Sequence, residues 1–156
     1  MNWDAIGAIG EILGAGAVVV SLFYLATQIR AQNRESRVAA MHDILTAFRE
    51  SYTQFNDGDI ADIFVRGNQA FESLTAAEKV RLFATLTPLL RVLEEAFVQH
   101  RQGRFDGELW DAMTKQYSFL FSAPTCEELW RQRKDHFNKD FVDFVDSLDK
   151  HGYVIH

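Results

Sequence analysis

Apolar residues are segregated along this chain rather than spread through it. From Ala5 to Ile29 it reads AIGAIGEILGAGAVVVSLFYLATQI, with a single charge at Glu11 and none at all from Ile12 to Ile29. As a helix this run measures about 37 Å at roughly 1.5 Å per residue, against a bilayer core of about 30 Å. A buried core helix is rarely apolar on every side, and a cleaved signal peptide carries a basic leading stretch that Met1-Asn2-Trp3-Asp4 does not supply. The run is therefore expected to be a retained transmembrane helix. Asp4 precedes it and Arg30, Arg34 and Arg37 follow it, which places the C-terminal side in the cytoplasm and Trp3 in the outer interface.

Within the span, Gly7, Gly10, Gly14, Ala17, Ser21, Tyr24 and Gln28 recur at alternating three- and four-residue steps and gather the small and polar positions on one stripe. Lipid has no use for such a stripe, whereas a second helix does: small residues let backbones approach, Gly10 and Gly14 form a GxxxG pair, and Ser21 or Gln28 can hydrogen-bond across the contact. Ile9, Ile12, Val19, Leu22, Phe23, Ala26 and Ile29 fall on the opposite, lipid-facing side. The stripe is read as a helix-association face.

Beyond the polar stretch Arg30–Arg37, apolar residues return at Val38, Met41, Leu45, Phe48, Tyr52 and Phe55. That heptad seam is out of register with the membrane stripe, so a shift or bend is expected between residues 30 and 38, and the seam offers a second partner surface. Asn56-Asp57-Gly58-Asp59 reads as a stop, with Asp59 capping a helix over 60–71. Thr75 and Glu78 make a capping box ahead of an apolar face, Leu82, Phe83, Leu86, Leu90, Leu93 and Phe97, which ends at Gly103 and should kink at Pro88. A helix over 107–121 turns Trp110, Met113, Tyr117 and Leu120 inward. Thr125 and Glu128 repeat the capping-box pattern and open one last helix carrying Trp130, Phe137, Phe141, Phe144 and Leu148. No segment alternates with period two. The expected fold is all-α: an N-terminal transmembrane helix continuing into a cytoplasmic helical bundle of about four to five helices, divided into an anchor with a short outer tail, residues 1–29, and a helical domain, residues 30–156.

Composition narrows what such a chain can do. Its 156 residues suit one domain plus an appendage. With Cys126 the single cysteine, neither an intramolecular disulfide nor a multi-cysteine metal site can form. A net charge of -6 argues against nucleic acid as a partner.

Candidate chemistry is sparse. Glu11 flanks the stripe and is either an intramembrane proton or ion site or, if the hydrocarbon begins near Ile9 or Ile12, a residue reaching the outer headgroups. His136 and Asp140 have i, i+4 spacing but no further ligand beside them, and His100 lies five positions after Glu95, which points the two apart. Histidines 42, 100, 136, 151 and 156 complete no metalloprotease motif, and neither a serine-hydrolase elbow nor a phosphate loop is present. Cys126 stands near a helix start, where a dipole lowers a thiol pKa, but Glu127 and Glu128 oppose that effect. Neither metal nor organic cofactor is expected.

The run Glu11 to Arg30, EILGAGAVVVSLFYLATQIR, resembles the hallmark of a family of short, uncharacterised bacterial single-pass membrane proteins. The likeness extends to Gly67 and Phe71 before the Leu74, Thr75 and Glu78 box, to Gly103 followed by Leu109 and Trp110, and to Trp130 leading into Phe137 and Phe141. The resemblance implies residence in the bacterial inner membrane and carries no reaction or site residue. The expected function is that of a membrane-anchored, non-enzymatic oligomeric or accessory/scaffold protein, with the lipid bilayer and either a second copy or a partner membrane protein as its partners. Two rivals remain: an oligomeric pore or small-ion pathway using Glu11, Ser21, Tyr24 and Gln28, and a cytoplasmic ligand sensor or enzyme using the aromatic bundle as a pocket.

Overall fold

The computed structural model describes the backbone of residues 3–150, and the side chains of all of these except 3–10 and 12. The described residues form six α-helices and no strand, as the absence of period-two patterning predicts. The first, α1, runs Trp3–Thr53. The chain divides by its contacts into two units, residues 1–40 and 41–156.

The first unit consists of α1 up to Ala40. Residues 13–39 of this helix are all exposed, among them Leu13, Val20, Leu22 and Phe23 at 61–72%. It is the one helix among the described residues long and apolar enough to cross a membrane, and none of its apolar window is buried inside the chain. Helical structure continues through residues 30–38, so the change of apolar face expected there occurs without a break in the helix.

The second unit begins with the last turns of α1. Ile44 is 1% exposed, and Met41, Phe48, Tyr52 and Phe55 pack against the core, while Leu45 is half-buried and Val38 exposed. This corrects the expectation of a partner-binding seam from Val38 to Phe55, because the chain's own bundle covers most of it. A 3-10 turn, Gln54–Asn56, ends the helix. The next helix, α2, spans Gly58–Ala70, and its cap is Asp57 rather than Asp59: the Asp57 carboxylate accepts from the Asp59 amide at 2.9 Å. After a 3-10 turn at Phe71–Ser73 the Thr75–Glu78 capping box forms as expected, with Thr75 Oγ1 accepting from the Glu78 amide and the Glu78 carboxylate accepting from the Thr75 amide.

Helix α3, Ala76–Arg101, is the axis of the core and buries Leu82, Leu86, Leu89, Leu90, Leu93, Ala96 and Phe97. It passes through Pro88 without ending. It closes at Gly103, whose φ of 65° favours a residue without a β-carbon and lets the Gly103 and Arg104 amides reach the His100 and Gln99 carbonyls, both at 2.9 Å. Helix α4, Gly107–Phe121, has the expected bounds, is capped by Asp106, and buries Trp110, Met113, Tyr117 and Leu120.

The last segment departs from the single helix expected. It forms α5, Pro124–Arg133, a 3-10 turn at Lys134–His136, and α6, Lys139–Asp146, capped by Asn138. Thr125 does not act as a cap. It lies one position inside α5 and is fully buried; its amide donates to Asn68 Oδ1 of α2 at 3.1 Å, and Pro124 supplies the helix start.

Candidate functional site

Two regions carry the candidate chemistry. On the first unit, the proposed association face includes Gly7 and Gly10, which lie in helical backbone but whose surroundings fall outside the described residues, as do those of Ile9 and Ile12. Of the rest, Gly14, Ala17, Ser21, Tyr24 and Gln28 are exposed, and a β-carbon added at Gly14 would meet nothing within 4 Å. Gln28 Nε2 donates to the Tyr24 hydroxyl at 3.1 Å, one turn apart on the same face, so the two polar groups at the C-terminal end of the stripe already satisfy one another in part. Thr27 donates its hydroxyl to the Tyr24 carbonyl at 2.7 Å, which keeps this second polar side chain close to the helix backbone. Glu11 is exposed.

On the second unit the candidate side chains are buried or paired within the bundle. Cys126 is 1% exposed, and burial pushes its thiol up to about 12, the opposite of the activated thiolate that a helix start could have produced. Burial likewise raises the Tyr117 phenol, whose hydroxyl donates to the Leu89 carbonyl at 2.7 Å and joins α4 to α3. The Asp140 carboxylate pairs with Arg101 instead of His136, and that guanidinium holds it below its ordinary range. His100 stacks on Trp110, with ring centroids 4.6 Å apart and planes 10° from parallel. Among the described residues no group of three or more His, Cys, Asp or Glu side chains is placed to hold a metal; His151 and His156 lie outside them.

Among the described residues, open grooves mark the surface of this unit, and three of them are formed as follows. One of about 270 Å³ is lined by Thr114, Lys115, Ser118, Phe119 and Asp149. A second, of about 350 Å³, includes Arg81 and Asp57, which face each other at 3.9 Å. The largest, about 410 Å³, lies between α3 and the end of α5 and is lined by Phe83, Ala84, Thr87, Pro88, Arg91, Arg133, His136 and Phe137. It alone of the three has no acidic residue in its lining.

Two of its arginines lie over aromatic rings, Arg91 at 4.1 Å from the Phe137 centroid and Arg133 at 5.6 Å from that of Phe83. Arg91 is further held by Glu94 at 2.6 Å and by the His136 carbonyl at 3.1 Å. Arg133 forms no ion pair among the described residues. The sequence offered little warning of this arrangement. Phe83 and Phe137 sit on helix faces that read as core, and Arg91 and Arg133 are 42 positions apart by their numbers, brought together only by the packing of α5 on the bundle. Pro88 was the visible irregularity, and it is one of the lining residues.

Compared with protein families, curated proteins and solved structures, the chain matches none.

Proposed function

We propose that this protein is a membrane-anchored accessory or scaffold protein rather than an enzyme, with residues 5–29 spanning the bacterial inner membrane and its helical bundle on the cytoplasmic side. The observation that carries this reading is the exposure of residues 13–29 of α1, an apolar run for which the described residues of the chain offer no cover. Apolar area of this extent is favourable only in lipid or against another protein. Arg30, Arg34 and Arg37, all exposed, follow the run and support the inward orientation of the bundle. The resemblance of residues 11–30 to short bacterial membrane proteins agrees with it.

The small-residue stripe supports association with a second copy or a partner membrane protein. The open space around Gly14 leaves room for close backbone approach, the contact that small residues permit in lipid. Three measurements test the reading. Carbonate-washed membranes should retain the chain, and recovery without detergent in the soluble fraction would overturn the anchor. Gln102→Cys, on the exposed turn after α3, should resist an impermeant thiol reagent in intact cells, with buried Cys126 giving no background. Gly10→Leu with Gly14→Leu should reduce cross-linking in membranes while insertion survives, whereas Val19→Leu with Phe23→Leu, on the opposite side, should leave it intact. The reverse pattern would move the contact to the other face.

A further inference from the structure

We propose that the groove between α3 and the end of α5 binds a phosphate monoester carried on an apolar body. Charge is the first argument. The chain has 22 acidic residues against 16 lysines and arginines, yet the lining of this groove contains two arginines, one histidine and no carboxylate. Glu94 balances Arg91, whereas Arg133 has no carboxylate partner among the described residues, so the groove presents one uncompensated guanidinium, which is matched to an anion.

Geometry is the second argument. Arg91 is fixed by its stacking on Phe137 and by its bonds to Glu94 and the His136 carbonyl, so its position is set before any ligand arrives. Arg133 faces Phe83 and spends none of its five donors on a carboxylate among the described residues. A phosphate monoester carries close to two negative charges near neutral pH and is matched to the guanidinium of Arg133, because a guanidinium binds phosphate through paired N–H donors.

The remaining lining defines the rest of the ligand. Phe83, Phe137 and Pro88 are flat and apolar, and Phe83 is itself stacked on Phe71 at 6.1 Å and 18°. A cavity of about 410 Å³ falls in the range of small-molecule sites. The ligand is therefore read as a phosphate monoester on an apolar body, supplied either by a free metabolite or by a phosphomonoester lipid headgroup.

The test uses the full chain in nanodiscs of phosphatidylcholine, titrated calorimetrically with phenyl phosphate, inorganic phosphate and benzyl alcohol at one ionic strength. Phenyl phosphate should bind saturably with one site per chain, about tenfold or more tighter than either fragment. Arg133→Gln should weaken it by about tenfold or more, because the free guanidinium is lost while the exposed position tolerates the change. Arg131→Gln, two positions away and paired with Glu128, should have no effect. A thermal melt equal to that of the native chain checks that Arg133→Gln is folded.

Repeating the titration in nanodiscs containing phosphatidic acid distinguishes the sources. Weakened apparent affinity assigns the phosphate to the lipid, and unchanged affinity assigns it to a soluble ligand. No saturable binding of phenyl phosphate, binding no tighter than inorganic phosphate, or equal affinity in the native chain and Arg133→Gln would each overturn the proposal.

Discussion

Gly67 packs so closely beneath α5 that a β-carbon there would lie 2.8 Å from Thr125 Oγ1 and 3.1 Å from Leu74 Cδ1. Thr125 is fully buried and its amide is tied to Asn68, so it has little room to yield. Gly67→Ala should therefore destabilise the bundle by about 1–3 kcal/mol despite the better helix propensity of alanine. Gly58→Ala, at the start of the same helix with nothing within 4 Å, should be neutral or slightly stabilising. Denaturant unfolding of both variants measures the difference. Glu78 gives a second test. Its carboxyl is lowered from 4.5 to about 2, chiefly by the hydrogen bond from Arg66 at 2.6 Å and then by the Thr75 amide. A depressed folded-state pKa contributes stability that is complete above 4.5 and disappears as pH falls toward about 2. Glu78→Gln should remove that part of the acid-side slope, so that the difference in unfolding free energy between native and variant chains shrinks between pH 4.5 and 2.

Among the helices, α6 depends most on what it touches. Its eight residues are too few to be stable alone in water, so its helicity comes from tertiary contact. Phe141 and Val145 are fully buried, with Phe141 set among Phe97, Trp130 and Phe137 at centroid distances of 5.7–5.9 Å. The Trp130 indole donates to Asp146 at 2.7 Å, the Arg101 guanidinium pairs with Asp140, and Glu94 accepts from the Asn138 amide at 2.8 Å, so α3 and α5 both hold it. Phe141→Ala should cost about 3–5 kcal/mol and lower the melting temperature, while Trp130→Phe, which keeps most of the ring and loses one charge-assisted bond, should cost less. The contrast between the two capping patterns shows what local sequence can and cannot settle. Thr75 and Glu78 cap α3 because nothing else claims the threonine. The equivalent spacing at Thr125 and Glu128 fails because Pro124 starts the helix one residue earlier and the threonine is drawn into the contact with α2.

Taken whole, the chain joins a helix with no core of its own to a bundle that has one. Residues 41–156 contain the buried cluster from Ile44 to Val145, and among the described residues none of its members comes from residues 1–40. A fragment of residues 41–156 should therefore remain soluble without detergent and keep a cooperative melt, whereas a fragment cut at residue 54 should lose stability, because it lacks Ile44 and the Phe48 and Tyr52 rings that pack on the core. Far-ultraviolet circular dichroism during heating distinguishes the two. The all-α class, the exposed apolar helix, the bounds of α4, the Thr75 cap and the glycine stop at 103 were legible in the chain, because each rests on interactions within about a turn of helix or on a long apolar run. The division of the last segment into two helices, the burial of the Met41–Phe55 face inside its own domain, and the groove whose lining includes both Arg91 and Arg133 were decided by packing. A pattern of apolar spacing states that a face will be covered; which surface covers it, and which charges are thereby brought together, depends on contacts between residues far apart in the chain.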